Sequence, residues 1–181
     1  MITKHNISTE QTILKAAEEV FLSKGFAMAK TVDIAKLAGV NQALLHYYFR
    51  TKENLFEAIF SQKIRHVAAA MYEILGREDV PLLEKIKMQI ETQFDFLLEN
   101  PKLPFLVISE IARVPQRIEG LKAAVGTHVQ IFEKVQEELD KAYMEGKIRK
   151  TTAPNLLLNI ISQNIFFFVI HPIFQTVTNM S

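Results

Sequence analysis

Apolar residues recur at helical spacing along almost the whole chain, and no stretch keeps the two-residue period of a strand beyond a few positions. Ser8 and Gln11 stand at capping-box spacing ahead of a stripe formed by Ile13, Ala17, Val20 and Phe21. Gly25 is placed to stop that helix, with Phe26 folding back on its last turn. From Thr51 the pattern Leu55, Ile59, Phe60, Ile64, Val67, Met71 predicts one long helix to about Leu75. Pro81 opens another, lined by Leu82, Ile86, Ile90, Phe94 and Leu97–Leu98, and Asn100–Pro101 closes it. A short apolar helix follows over 103–114. Next comes a long one over 118–144, whose Val125, His128, Phe132, Val135, Leu139 and Ala142 step by 3 and 4 like a coiled-coil seam. The last opens near Pro154 and runs to about His171–Pro172. About nine helices account for the chain, an all-α protein.

The stretch Thr31 to Asn54 carries the most information. Ile34, Leu37 and Ala38 form one apolar face, and Gly39 can take the positive φ that ends a helix. Asn41 is a good N-cap for a second short helix, about Gln42 to Tyr48, which turns Leu45 and Phe49 to the core. Gln42, Ala43, His46 and Tyr47 are left on the other faces, and Thr51 caps the helix that follows. Two short helices around Ala-Gly-Val can form any corner of a helical protein. The surface of the second helix separates the readings, because Gln, His and two Tyr hydrogen-bond or stack, as side chains entering a DNA groove must.

The segment TVDIAKLAGVNQALLHYYFRTKENLF resembles the DNA-binding head of the tetracycline-repressor (TetR) family of bacterial regulators. The likeness rests on Ile34-Ala35, Ala38-Gly39-Val40, Leu45, Tyr48-Phe49, Lys52-Glu53 and Leu55-Phe56. Ile13-Leu14, Ala16-Ala17, Phe21 and Gly25-Phe26 carry it upstream, so that it covers about residues 8–60. It implies a helix-turn-helix head over 1–52 and a ligand-binding, dimerising body over 53–181, linked by the helix at about 51–75. It further implies base contacts from Gln42, Ala43, Leu44 and Tyr47, and phosphate contacts from Thr31, His46, Tyr48 and Lys52. His46 stands where a Tyr is usual, which makes that contact titratable. Val32 replaces a polar contact of several members, and Asn41 replaces a Ser cap.

Family members pair through their last two helices. The resemblance therefore implies a homodimer joined by Val125, His128, Phe132, Val135, Leu139, Leu157, Ile160, Asn164 and Phe168. Two recognition helices would then meet an inverted-repeat operator. Regulation by a small ligand in the body is implied as well, most often as release of a repressor. The many Phe of the body point to an apolar or aromatic ligand near Phe94, Phe105, Glu110 and Phe167, although Phe in a bundle also serves as plain core.

Charge adds a little. Formal net charge is only +1, yet residues 1–52 hold seven Lys/Arg against four acids, and the rest fourteen against sixteen. A mildly basic head on a mildly acidic body agrees with a nucleic-acid partner. No cysteine is present, so disulfides and thiolate metal sites are excluded. The N-terminus lacks the apolar core of a signal peptide, and the longest unbroken apolar run, 165–170, is far shorter than a membrane span. These features predict a soluble cytoplasmic protein with no membrane partner.

No catalytic or metal constellation stands out. The five His form no zinc spacing, and there is no Gly-rich phosphate loop and no nucleophile elbow, so no cofactor is expected. A regulator is the favoured function. A helical interaction module that no longer binds DNA is the alternative, and an all-α enzyme a third. Two polar residues are singled out by their apolar neighbours. Glu110 reads as a solvated carboxylate or a cavity group. Asn164 must bond across a dimer interface, to a ligand or to a neighbouring helix, and the interface is preferred to the ligand.

Overall fold

The computed structural model describes residues 8–125 and 129–178, and the regular structure among them is helical. Its nine α-helices are α1 (Thr9–Met28), α2 (Thr31–Ala38), α3 (Gln42–Phe49), α4 (Lys52–Leu75), α5 (Leu82–Glu99), α6 (Leu103–Arg113), α7 (Ile118–Val125), α8 (Val129–Met144) and α9 (Ala153–Thr178). A 3-10 turn, Pro115–Arg117, precedes α7. The expected helix over 118–144 is described as α7 and α8, and the residues between them, with His128 of the predicted seam, lie outside the described residues. The chain divides into two compact units, Met1–Lys63 with Leu106–Ala124, and Ile64–Phe105 with Val125–Ser181. The first takes in 106–124, a segment that the pattern alone groups with the body.

In the first unit α1 starts at the expected capping box: the Gln11 N–H donates to Ser8 Oγ at 3.2 Å, and the Ser8 N–H to Gln11 Oε1. Ile13, Ala17, Val20 and Phe21 are buried as their spacing requires. Gly25 breaks the helix with φ 73° and ψ 160°, a backbone shape other residues seldom take, and this kink returns Phe26 to the core. The rings of Phe21, Phe26 and Phe56 meet there at 5.2–5.7 Å, two of the three contacts edge-on. Above them lies the Arg117 guanidinium, 4.1 Å from the Phe26 centroid and 4.6 Å from that of Phe56.

Glu110 completes this cluster and corrects both sequence readings of it. It is only 5 % exposed, and its Oε2 lies 3.2 Å from both Arg113 and Arg117. A buried carboxylate is tolerable because two cations face it; its apolar neighbours in sequence gave no hint of partners three and seven residues on.

The second unit packs Ala68, Met71, Tyr72 and Leu75 of α4 against Leu82 of α5, Val135 and Leu139 of α8, and Ala153 at the start of α9. Phe132 and Leu157 pack on this core from the side, and Ile160 and Phe168 are buried too. The α8 stripe expected at a dimer interface therefore faces the chain's own core. A 3-4 spacing reveals that a helix has one apolar side, not which surface will cover it. The exposed side of α9 carries Asn155, Asn159, Ser162 and Gln163 along its first half, then Phe166, Ile173 and Val177. The helix also runs through Pro172 instead of stopping there. Ala153–Val177 is long and apolar enough to cross a membrane, its mean hydropathy reaching 1.7 over an 18-residue stretch, a property hidden by the polar residues that interrupt its apolar runs.

On α5 the apolar stripe is only half obeyed. Ile90 and Leu98 are exposed, while Lys85, Gln89 and Gln93 turn inward. Lys85 Nζ sits 2.6 Å from Glu138 Oε1, and Asn164 Nδ2 donates to Gln93 Oε1 at 3.0 Å and to the Ile90 carbonyl at 3.2 Å. Asn164 is therefore satisfied by a neighbouring helix, and the preference for an interface bond is overturned.

Replacing Arg117 by Met should remove the main counter-charge of Glu110 and lower unfolding stability by about 3 kcal/mol in urea melts. Combining it with Glu110→Gln should restore most of the loss, since the surviving group is then neutral.

Candidate nucleic-acid interface

The turn between α2 and α3 is built by three local devices. Gly39 ends α2 in the left-handed region at φ 68°, and the Val40 N–H reaches back to the Ala35 carbonyl at 3.0 Å. Asn41 then caps α3, its Oδ1 accepting from the Leu44 N–H at 2.8 Å. Leu45 and Phe49, four residues apart, anchor α3 in the core. Arg50 closes the helix at φ 56°, and Thr51 Oγ1 accepts the Asn54 N–H to start α4.

This anchoring leaves one long side of α3 in solvent. Gln42, Ala43, Leu44, His46, Tyr47 and Tyr48 are all exposed, Tyr47 to 79 %. The two Tyr rings meet edge-on at 5.5 Å, which limits their freedom before any partner arrives. Thr31 begins α2 and is half-buried. Within α2, Ile34 and Ala35 face the core, while Leu37, expected there, is half-exposed with Val32. Two core positions suffice for an eight-residue helix, so the third apolar residue is left at the surface.

Lys52 departs most from expectation. Its Nζ donates to the Phe26 carbonyl at 2.9 Å and the Ala29 carbonyl at 3.1 Å, with Ala27 O at 3.5 Å, and stands 4.5 Å from the Phe26 ring centroid. These are carbonyls freed by the Gly25 kink, so the ammonium satisfies the frayed end of α1 and has no donor left for a phosphate. The free cations nearby are others. The side chains of Lys30, Lys36 and Arg50 are exposed and make no hydrogen bond or ion pair among the described residues. Sequence could have offered Arg50, one residue beyond α3, but no family position drew attention to it. Lys24 is engaged, donating to Asp33 at 2.7 Å. That bond, aided by the charges of Lys24, Lys30 and Lys36, holds the Asp33 carboxyl below its ordinary value. The pair's contribution is therefore present at neutral pH and lost as pH falls through the lowered value.

The residues expected around a ligand are not gathered. Phe94 and Phe167 pack on each other and on Phe168 at 5.3–5.5 Å, Phe105 is largely exposed, and Glu110 is held by arginines. None of the four lines either of two cavities in the second unit, one of about 20 Å³ and one of about 150 Å³.

Lys52→Met should lower the stability of the protein by about 1.5–3 kcal/mol, the range for hydrogen bonds to a charged group, as read by thermal or urea unfolding. A variant with unchanged unfolding but weaker binding to every DNA sequence would instead return Lys52 to a phosphate role.

Residues 13–59 match the family described as bacterial regulatory proteins, tetR family. Over 100 residues the chain is 29% identical to an uncharacterised HTH-type transcriptional regulator, YdgC, of Bacillus subtilis, covering 54% of this chain and 51% of YdgC. It is 28% identical over 128 residues to the HTH-type transcriptional repressor BepR of Brucella suis, covering 65% and 60%. These matches span between half and three-fifths of the relatives' own lengths. The fold extends further: the TetR family transcriptional regulator PfmR of Thermus thermophilus superposes with a TM-score of 0.67 over 86% of this chain and 84% of PfmR, at 20% identity. With its capped helix-turn-helix and this likeness, the chain belongs to the tetR family of bacterial regulatory proteins.

Proposed function

We propose that this protein is a DNA-binding transcriptional regulator, a repressor that holds an inverted-repeat operator as a homodimer and leaves it when a small molecule binds the second unit. The observation that carries the reading is α3. Its anchor is two fully internal residues, and its exposed side bears hydrogen-bonding and aromatic groups in place of a solvated Glu/Lys mixture. Gln42 at the N-terminal end of the helix suits the two-point recognition of adenine, and Ala43 or Leu44 suits a thymine methyl. Tyr47 extends the contact. Thr31, His46 and Tyr48 serve the backbone, with Arg50, Lys30 and Lys36 supplying charge where Lys52 does not.

Pairing through α9 is supported by the apolar groups that one chain leaves uncovered, Phe166, Ile173 and Val177. A second copy covers them without immersing Asn155, Asn159, Ser162 and Gln163 in hydrocarbon, which is why a dimer in the cytoplasm suits α9 better than a membrane. Successive half-sites then lie about 34–36 Å apart. The relatives are named as regulators, and the reading includes no catalytic step and no cofactor.

Selection from random DNA should return an inverted repeat that retards the protein in a gel. Failure to enrich any sequence would favour an interaction module that uses the same α3 surface. In Gln42→Ala, preference at one base pair per half-site should relax by about 1–3 kcal/mol, with the rest of the site unchanged. Phe166→Glu should give monomers by analytical ultracentrifugation with helical content intact, because an exposed residue disturbs no core when changed. A dimer that survives both Phe166→Glu and Ile173→Glu would place the interface elsewhere.

A further inference from the structure

On α5 the usual order of a half-buried helix is reversed. Lys85, Gln89 and Gln93 point into the unit, while Leu83, Ile90 and Leu98 stand in solvent, the two Leu more than half exposed. The reversal is locked from inside. Lys85 pairs with Glu138 and Gln93 accepts from Asn164, so a rotation of α5 that buried the Leu residues would break both contacts. The apolar arc continues beyond α5. Phe94 stands on the same side as Leu83, Ile90 and Leu98, and its ring meets that of Phe167 on α9 at 5.5 Å. Phe167 and Phe174, two turns apart on α9, are themselves exposed, next to Phe166, Ile173 and Val177. On α8 the opposite holds. Its exposed side carries Glu133, Lys134, Glu137, Asp140 and Lys141, and its apolar stripe lies in the unit's own core.

From this contrast we infer that two copies of the chain pair through α5 and α9, four helices in all, with α8 left in solvent. The inference rests on the reading of the protein as a homodimer and names the helix that completes the α9 surface. The centre of a protein interface is poor in charge, which admits the α5 arc and excludes the outer side of α8. No Asp, Glu, Lys or Arg occurs after Lys150, so α9 offers nothing to a strongly charged partner. Lys87, the one charge within the α5 arc, reaches Glu84 at 3.8 Å, and Glu91 borders the arc as well. Both signs on one margin suit a two-fold mate, which returns the same mixture, whereas a membrane surface calls for a rim of Lys and Arg. The size also fits. At about 1.5 Å per residue the stretch 155–177 of α9 is about 33 Å long, and two helices abreast are about 20 Å wide, giving about 650 Å² per copy against the roughly 800 Å² per partner of a stable interface.

Sedimentation of the full chain reads the dimer, and circular dichroism checks that each variant keeps its helices. Ile90→Glu and Leu98→Glu should each weaken dimerisation about a hundredfold, because each places a charge at the middle of an apolar contact. Leu83→Glu, at the other end of the arc, keeps the test open if either of them misfolds. On α8, Glu133→Lys combined with Glu137→Lys should leave the dimer as it is. Dissociation by the α8 pair, or a dimer that withstands the folded α5 variants, would each overturn this surface while leaving the homodimer reading in place. A parent chain that sediments as a monomer at high micromolar concentration would sink both. Binding of that monomer to phosphatidylglycerol vesicles would then give the apolar face to a membrane.

Discussion

Two cations from distant parts of the chain, Lys52 and Arg117, lie against the Phe26 ring, and the first unit depends on those contacts. Arg117 needs Glu110 to be buried, Glu110 needs Arg117 and Arg113, and Lys52 needs the carbonyls that the Gly25 kink exposes. Each group alone would carry a solvation penalty; together their charges offset one another around an aromatic cluster, with Arg117 Nη1 held to Glu110 by charge and not by an aligned hydrogen bond. The kink at Gly25 is the geometric condition for all of it, because a straight α1 would point Phe26 and the carbonyls elsewhere. The same contacts tie residues 106–124 to the helix-turn-helix within one compact unit.

That connection bears on how a head can be held in one shape. α2 and α3 are eight residues each, too short to be stable by themselves. Their stability comes from the internal residues they bury, Ile34, Ala35, Leu45 and Phe49, which fix the side that α3 presents. A recognition surface gains from this, since side chains already restrained, such as the Tyr47–Tyr48 pair, lose less freedom on binding.

The second unit applies a different rule. Its core combines an apolar cluster with a layer of buried polar groups on α5, each needing a partner on another helix. Lys85 and Gln93 find theirs on α8 and α9. A helix carrying a buried polar stripe can sit in only one rotation against its neighbours, because turning it would leave charges and amides unmatched. Such a layer fixes how α5 packs at the cost of apolar contact, and it leaves Gln89 beside a cavity as the place where the matching is incomplete.

Local order was legible in the chain itself. Capping boxes, Gly39, Asn41, Thr51 and the i, i+4 pair Leu45–Phe49 act over four residues or fewer, so sequence alone determined the helices, the helix-turn-helix and the side that α3 shows to solvent. What it could not determine were polar pairings, most of them across tens of residues. The partners of Lys52, Glu110, Lys85 and Asn164 lie between three and seventy-four positions away, and helical periodicity, which counts only apolar spacing, treats all four as surface or as oddities. The α8 seam was seen correctly as a stripe but given to a second chain, because spacing carries no information on what covers it. Tertiary structure decided those matters, since whether a polar side chain is buried depends on a partner that only the folded chain brings within reach.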